Sequence, residues 1–189
     1  MYLRLATAYA EKESPQHPCK YLMSDIENQR PVTTQAVALV ISLVVCFAAG
    51  GLGGLATTQG LDAWYNTLNK PTWNPPNWVF APVWSMLYCL MGISVWLVWR
   101  GGEWRKVKPA IVLFTVQLVL NSLWSVLFFG LQNPGAALIE IVVLWFAIAA
   151  TTVLFFRRSA IAGGLMTPYL LWVSFASILN FTIWNLNRV

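Results

Sequence analysis

Charge is scarce in this chain. Of its 189 residues only 10% are Asp, Glu, Lys or Arg, against 58% hydrophobic, and the mean hydropathy is +0.60. A soluble domain carries about 25% charged residues, so this supply does not cover a water-facing surface. Histidine is almost missing: His17 is the single one, in the polar N-terminal stretch. That excludes a histidine-based triad among the apolar segments and leaves them no imidazole for iron or zinc. Three cysteines (Cys19, Cys46 and Cys89) without a CxxC pair exclude a disulfide framework, a zinc site and a c-type haem attachment. Phosphate-binding glycine loops and metal-ligand clusters are absent too, so no metal is expected. The net charge of +5 needs no nucleic-acid partner, because the basic residues flank apolar runs, where they set membrane topology.

Long apolar sequence is what the chain has instead. About twenty apolar residues cross a bilayer core as a helix. Five segments qualify, at about 36–57, 81–99, 109–129, 135–156 and 161–184. They lack the alternation of barrel strands, so helices are expected. The expected fold is an all-α integral membrane protein, a compact up-and-down bundle of five transmembrane helices. Residues 1–31 read as a flexible polar arm, broken by Pro15, Pro18 and Pro31, with Met23 as an alternative start. Residues 32–189 hold the transmembrane domain. Ten basic residues fall on the N-terminal side of the helices and two, Lys70 and Arg188, on the other. The N-terminus is therefore expected in the cytoplasm, with the C-terminus and first loop opposite; which membrane is crossed is not legible.

The first connection, Thr58 to Phe80, is the long one at about twenty-three residues, whereas the others are short. Within and just after it, Lys70–Trp84 brings together Trp73, Trp78, Trp84 and four prolines. Proline stiffens a backbone, which suits a lid of fixed shape. Polar side chains in membrane helices mark bundle interiors or sites. Gln117, Asn121 and Ser125 recur every four residues on one face of the third helix, with Trp124 beside them. Trp172, Ala176 and Asn180 share a face of the fifth, above Tyr169, while Trp84 and Tyr88 open the second. These sets approach the level beneath the long loop and predict a pocket roofed by it. The plainer reading of Asn121 and Asn180 is a hydrogen bond between helices, worth about 0.6–2 kcal/mol. Trp96, Trp99 and Trp104 suit an interfacial belt. Glu140 is the ionisable residue well inside a helix, read as a structural group or a site residue. Gly50 and Gly54 form a GxxxG that serves helix packing or dimerisation.

Taken in order, "WYNTLNKPTWNPPNWVFAPVW" followed by "LY", then "NSLWSVLFF", then "PYLLWVSFASILN" resemble the tryptophan-rich sensory protein or translocator protein family, TspO, from about residue 36 to the end. The resemblance implies a five-helix membrane fold and a homodimer. It implies binding of tetrapyrroles such as protoporphyrin IX and haem, and of similar hydrophobic small molecules, as sensor, regulator or transporter with no required cofactor. Family pocket positions match Trp64 and Tyr65 in the first loop, Asn121, Trp124 and Ser125 in the third helix, and Ala176 and Leu179 in the fifth. The acidic position of the fourth matches Glu140. Light- and oxygen-dependent porphyrin degradation, known for some bacterial members, implicates tryptophans matching Trp84 and Trp172 as catalytic residues. A structural partner in a membrane complex is a third reading. Phe181 stands where the animal sterol motif has tyrosine, and Arg188 lies too far along, so sterol binding is not expected. Without a pocket histidine, metal-free porphyrin and haem fit equally.

Overall fold

The computed structural model describes residues 31–61 and 64–188, with backbone only at 58–61. Among these residues there is no strand, and five helices are long and apolar enough to cross a membrane. They are α1 (Val32–Leu61), α2 (Asn77–Arg100), α3 (Trp104–Ser125), α4 (Pro134–Phe156) and α5 (Ala160–Asn187). The chain is an integral, multi-pass membrane protein. The arm expected over 1–31 lies outside the described residues, apart from Pro31.

α1 and α2 each run a few residues beyond their apolar stretches, which corrects the expected loop. α1 continues to Leu61 and α2 already starts at Asn77, so the expected 58–80 connection shrinks to the stretch between them. The reason lies at Pro76, whose extended ψ of 145° sets the N-cap of α2. Pro82 then falls inside the helix, past its first turn, where it lacks the N–H that would otherwise pair with Trp78 O. α4 starts on Pro134 at its first turn, with Asn133 Oδ1 accepting from Ala136 N at 3.0 Å. Before it, Gln132 takes φ 53°, the single positive φ at a non-glycine among the described residues, and turns α3 into α4.

α3 ends differently from the others. Over Val126–Gly130 it widens into a π-helical turn, closed by Leu131 N donating to Val126 O at 2.8 Å. Such turns shift the register of every later side chain and recur at functional sites. Here the turn delivers Phe128 and Phe129 to the bundle interior.

Helices are joined by packing and by a few hydrogen bonds, as expected where lipid supplies no hydrophobic drive between them. α5 packs between α2 and α4, and α3 packs on α4. Ser94 Oγ donates to Ala162 O (2.7 Å), Trp145 Nε1 to Ser174 Oγ (2.8 Å) and Ser122 Oγ to Ala49 O (3.0 Å). α1 seats itself through glycine on both sides of the contact. A Cβ on Gly92 would lie 2.8 Å from Leu43 Cδ2, and one on Gly53 would lie 3.0 Å from Ser125 Oγ.

Candidate functional site

At the loop end of the bundle, α1, α2, α3 and α5 part around a cavity of about 470 Å³. Nine of the residues expected at a site line it: Tyr65, Trp84, Tyr88, Trp124 and Ser125, then Trp172, Ala176, Leu179 and Asn180. Asn121, Tyr169, Trp64 and Glu140 do not.

The floor is an aromatic assembly. Trp84 stacks on Tyr88 (centroids 5.6 Å apart, planes at 26°) and meets Tyr169 edge-on at 6.2 Å. Tyr88 Oη donates to Asn121 Oδ1 (2.7 Å), and Asn121 Nδ2 donates to Tyr169 Oη (3.1 Å). Asn121 and Tyr169 thus lie just below the cavity, with Tyr169 wholly buried. On the α3–α5 side, Trp124 stacks on Phe128 at 5.2 Å and donates its Nε1 to Asn180 Oδ1 (3.0 Å). Asn180 Nδ2 in turn donates to Pro134 O (2.8 Å), so α3, α5 and the start of α4 share one bonded chain. Trp172 contacts Phe175 (5.5 Å) and, edge-on, Phe80 (6.1 Å).

The loop closes the top. Tyr65 is 3% exposed and sits in a short 3-10 turn, its Oη donating to Asn74 Oδ1 at 2.8 Å. Burial pushes its hydroxyl pKa above the ordinary tyrosine value of 10.0, with the Asn74 hydrogen bond pulling the other way. Lys70 Nζ donates to Tyr65 O (2.7 Å) and lies 4.7 Å from the centre of the Tyr65 ring. Trp73 meets Phe175 edge-on at 5.9 Å, and Trp64, outside the cavity, backs Phe128 at 5.7 Å. A reciprocal amide pair fastens the loop to the end of α5. Asn69 N donates to Asn187 Oδ1 and Asn187 Nδ2 donates to Asn69 O, both at 2.9 Å.

Among the described residues, no charged side chain lines the cavity. Its hydrogen-bonding groups are largely spent within the protein: Trp124, Asn180, Tyr65 and Tyr88 all have partners. Among the described lining residues, Ser125 and Asn77 keep polar side chains not committed to protein partners. The chemistry on offer is flat, apolar contact with few polar anchors, the usual make-up of a small-molecule pocket.

Glu140 lies elsewhere. It is 8% exposed on the buried stripe of α4, with neither carboxyl oxygen bonded to a described residue. Sequence reasoning missed a whole wall: Gly50, Gly51, Gly53 and Gly54 of α1 line the cavity. A Cβ on Gly51 or Gly54 would meet nothing within 4 Å. The one signal, the GxxxG, pointed to helix packing. Phe47, Phe128, Phe129 and Phe175 were missed as well, since phenylalanine within an apolar run looks like any core residue.

A profile of the TspO/MBR family matches residues 42–185, a span that reaches every helix contributing to the cavity. The chain belongs to the TspO/MBR family. It is 46% identical over 155 residues to the Tryptophan-rich protein TspO of Chlorobaculum tepidum, covering 81% of this chain and 98% of that one. Identity to the Tryptophan-rich protein TspO of Archaeoglobus fulgidus is 45% over 149 residues, 79% of this chain and 96% of the relative. With the human Translocator protein it is 43% over 127 residues, 66% of this chain and 75% of the relative. In this TspO/MBR chain the quoted motifs map onto the cavity: the loop motif roofs it, the third-helix motif gives one wall and the fifth-helix motif another.

Proposed function

We propose that this membrane protein binds tetrapyrroles, protoporphyrin IX or haem, and similar flat hydrophobic molecules in the lid-end cavity, as a sensor, regulator or carrier. The observation that carries the reading is the cavity itself: about 470 Å³, without a charged side chain among its described lining residues, and bordered by the indoles of Trp84, Trp124 and Trp172. A macrocycle gains most from stacking on indole and phenyl faces. With most interior donors already spent, the propionates turn toward solvent, where the exposed lining residue Asn77 lies. The human relative's name, Translocator protein, favours the carrier form, and the sensory name given to other relatives favours the sensor. We further propose that the N-terminus is cytoplasmic and the lid end opposite, as the basic residues suggest, and that the protein acts as a homodimer.

Protoporphyrin IX titrated into detergent-solubilised protein quenches intrinsic tryptophan fluorescence saturably, and Trp172→Ala weakens the binding at least tenfold. Unsaturable quenching in the wild type, or an unchanged affinity in the variant, contradicts the proposal. A second reading, light- and oxygen-dependent breakdown of the bound porphyrin, is favoured by Trp84 and Trp172 bordering the same cavity. Illumination then yields a product that Trp84→Phe does not make; equal yield from both proteins assigns the chemistry to the photosensitiser.

A further inference from the structure

We infer that Asn121 is a positioning residue that fixes Trp84 at the cavity floor through the hydroxyls of Tyr88 and Tyr169, without touching the ligand. Asn121 is 3% exposed and does not border the cavity. Its amide is spent in both directions. The carbonyl oxygen accepts from Tyr88 on α2 at 2.7 Å, and the amide nitrogen donates to Tyr169 on α5 at 3.1 Å. The two rings held this way are, among the described residues, the two aromatic rings that meet Trp84, one stacked at 5.6 Å and one edge-on at 6.2 Å. One amide on α3 therefore sets both sides of the clamp on an indole of α2.

The fourth helix of the assembly takes part by leaving a side chain out. A Cβ on Gly50 of α1 would lie 2.3 Å from Tyr88 Cε2 and 2.7 Å from Cδ2 and Cζ. The ring of Tyr88 occupies the space any larger residue would claim. Gly50 behind, Trp84 in front and Asn121 at the hydroxyl leave Tyr88 one orientation. Phe47 adds a tilted contact at 6.2 Å. Few side chains can replace Asn121: two hydrogen-bonding atoms are needed on one short, rigid arm, and leucine offers neither.

A floor held in place before the ligand arrives costs the complex less ordering on binding, which is how a residue out of contact raises affinity. That consequence rests on the tetrapyrrole reading; the clamp itself does not. The test separates them by observing Trp84 without ligand. Protein labelled with 5-fluorotryptophan gives a fluorine NMR line for Trp84, assigned by its loss in Trp84→Phe. In Asn121→Ala the line shifts or splits as the indole samples several orientations. Tyr88→Phe and Tyr169→Phe keep both rings and lose one hydroxyl each, so they test the clamp even where Asn121→Ala folds poorly. Each moves the Trp84 line, and adding both to Asn121→Ala moves it no further, because all three act through one network. Gln117→Leu, one turn away on the same face of α3, leaves the line in place.

Protoporphyrin IX affinity falls about two- to tenfold in each hydroxyl variant, the size of one lost net hydrogen bond. An unmoved Trp84 line in the asparagine and tyrosine variants overturns the inference. If affinity falls while the line stays put, Asn121 contacts ligand directly, which overturns it too. If the line moves as described in a protein that binds no protoporphyrin, the clamp stands and the tetrapyrrole reading fails.

Discussion

The two ends of one bundle are built on opposite plans. At the end opposite the lid, the space between helices is filled: Val98, Val107, Ala162 and Phe155 are at most 1% exposed, and Phe114 stacks on Phe155 at 5.8 Å. Charge gathers there, with Arg100, Arg105, Lys106, Lys108, Arg157 and Arg158 around the two short links, and Arg158 Nη2 donating to Lys106 O at 2.6 Å. At the lid end the same helices stand apart around a cavity, and the described basic residues are Lys70 and Arg188, each against an aromatic ring. One end is packed with aliphatic and phenyl groups. The other has indoles, glycines and a bonded lid around open space.

Glycine marks the contrast most sharply. At Gly163, near the closed end, a Cβ would lie 2.2 Å from Phe156 Cγ; at Gly54, at the cavity, it would meet nothing. The first glycine permits contact between helices, and the second leaves room.

If the closed end is the stability core, Phe155→Ala lowers unfolding free energy by about 3–5 kcal/mol, the usual cost of emptying a buried phenylalanine site. Denaturant or thermal unfolding in detergent reads this, and protoporphyrin affinity of the folded fraction is unchanged. Gly163→Ala, at the same end, costs about 1–3 kcal/mol because Phe156 must move. Gly54→Ala removes a flexible glycine from a helix without a clash and gains up to about 1 kcal/mol, and equal losses at both glycines would erase the distinction. Opening the latch acts on rates: Asn187→Ala removes both bonds to Asn69 and speeds ligand release about two- to tenfold in stopped-flow fluorescence, as for one or two net hydrogen bonds.

The smallest effect is a pH step. Burial raises the Tyr65 pKa above 10.0, so the folded lid favours the neutral hydroxyl. Its contribution is fully present below the unfolded value of 10.0 and is lost as pH rises past it through the higher folded value. Hydrogen exchange of the lid therefore accelerates in that alkaline window, and Tyr65→Phe removes the step.

The helices were legible because an apolar run of bilayer length leaves the backbone one way to satisfy itself. Their ends were less so. Pro75 and Pro76 read as loop markers, yet Pro76 caps α2, which starts at Asn77 rather than at the expected residue 81. The site was legible where it is made of large or polar side chains, such as Trp84, Trp124, Trp172 and Ser125. It was hidden where backbone makes the wall, as along Gly50–Gly54. The π-helical turn was hidden as well, since Val126–Gly130 carries no residue pattern that ordinary helix lacks. Asn121 shows a different limit. Its face was readable from four-residue spacing, but spacing does not tell a side chain that meets ligand from one spent on its neighbours.

The central claim, that the lid-end cavity is the ligand site, is tested most directly by filling it from the side that tolerates filling. Gly54→Leu places a side chain into open space from α1, away from the tryptophans whose fluorescence reports binding. The account predicts an unchanged melting temperature and a protoporphyrin IX titration shifted at least tenfold to weaker binding. Superimposable titrations of Gly54→Leu and wild type would contradict it.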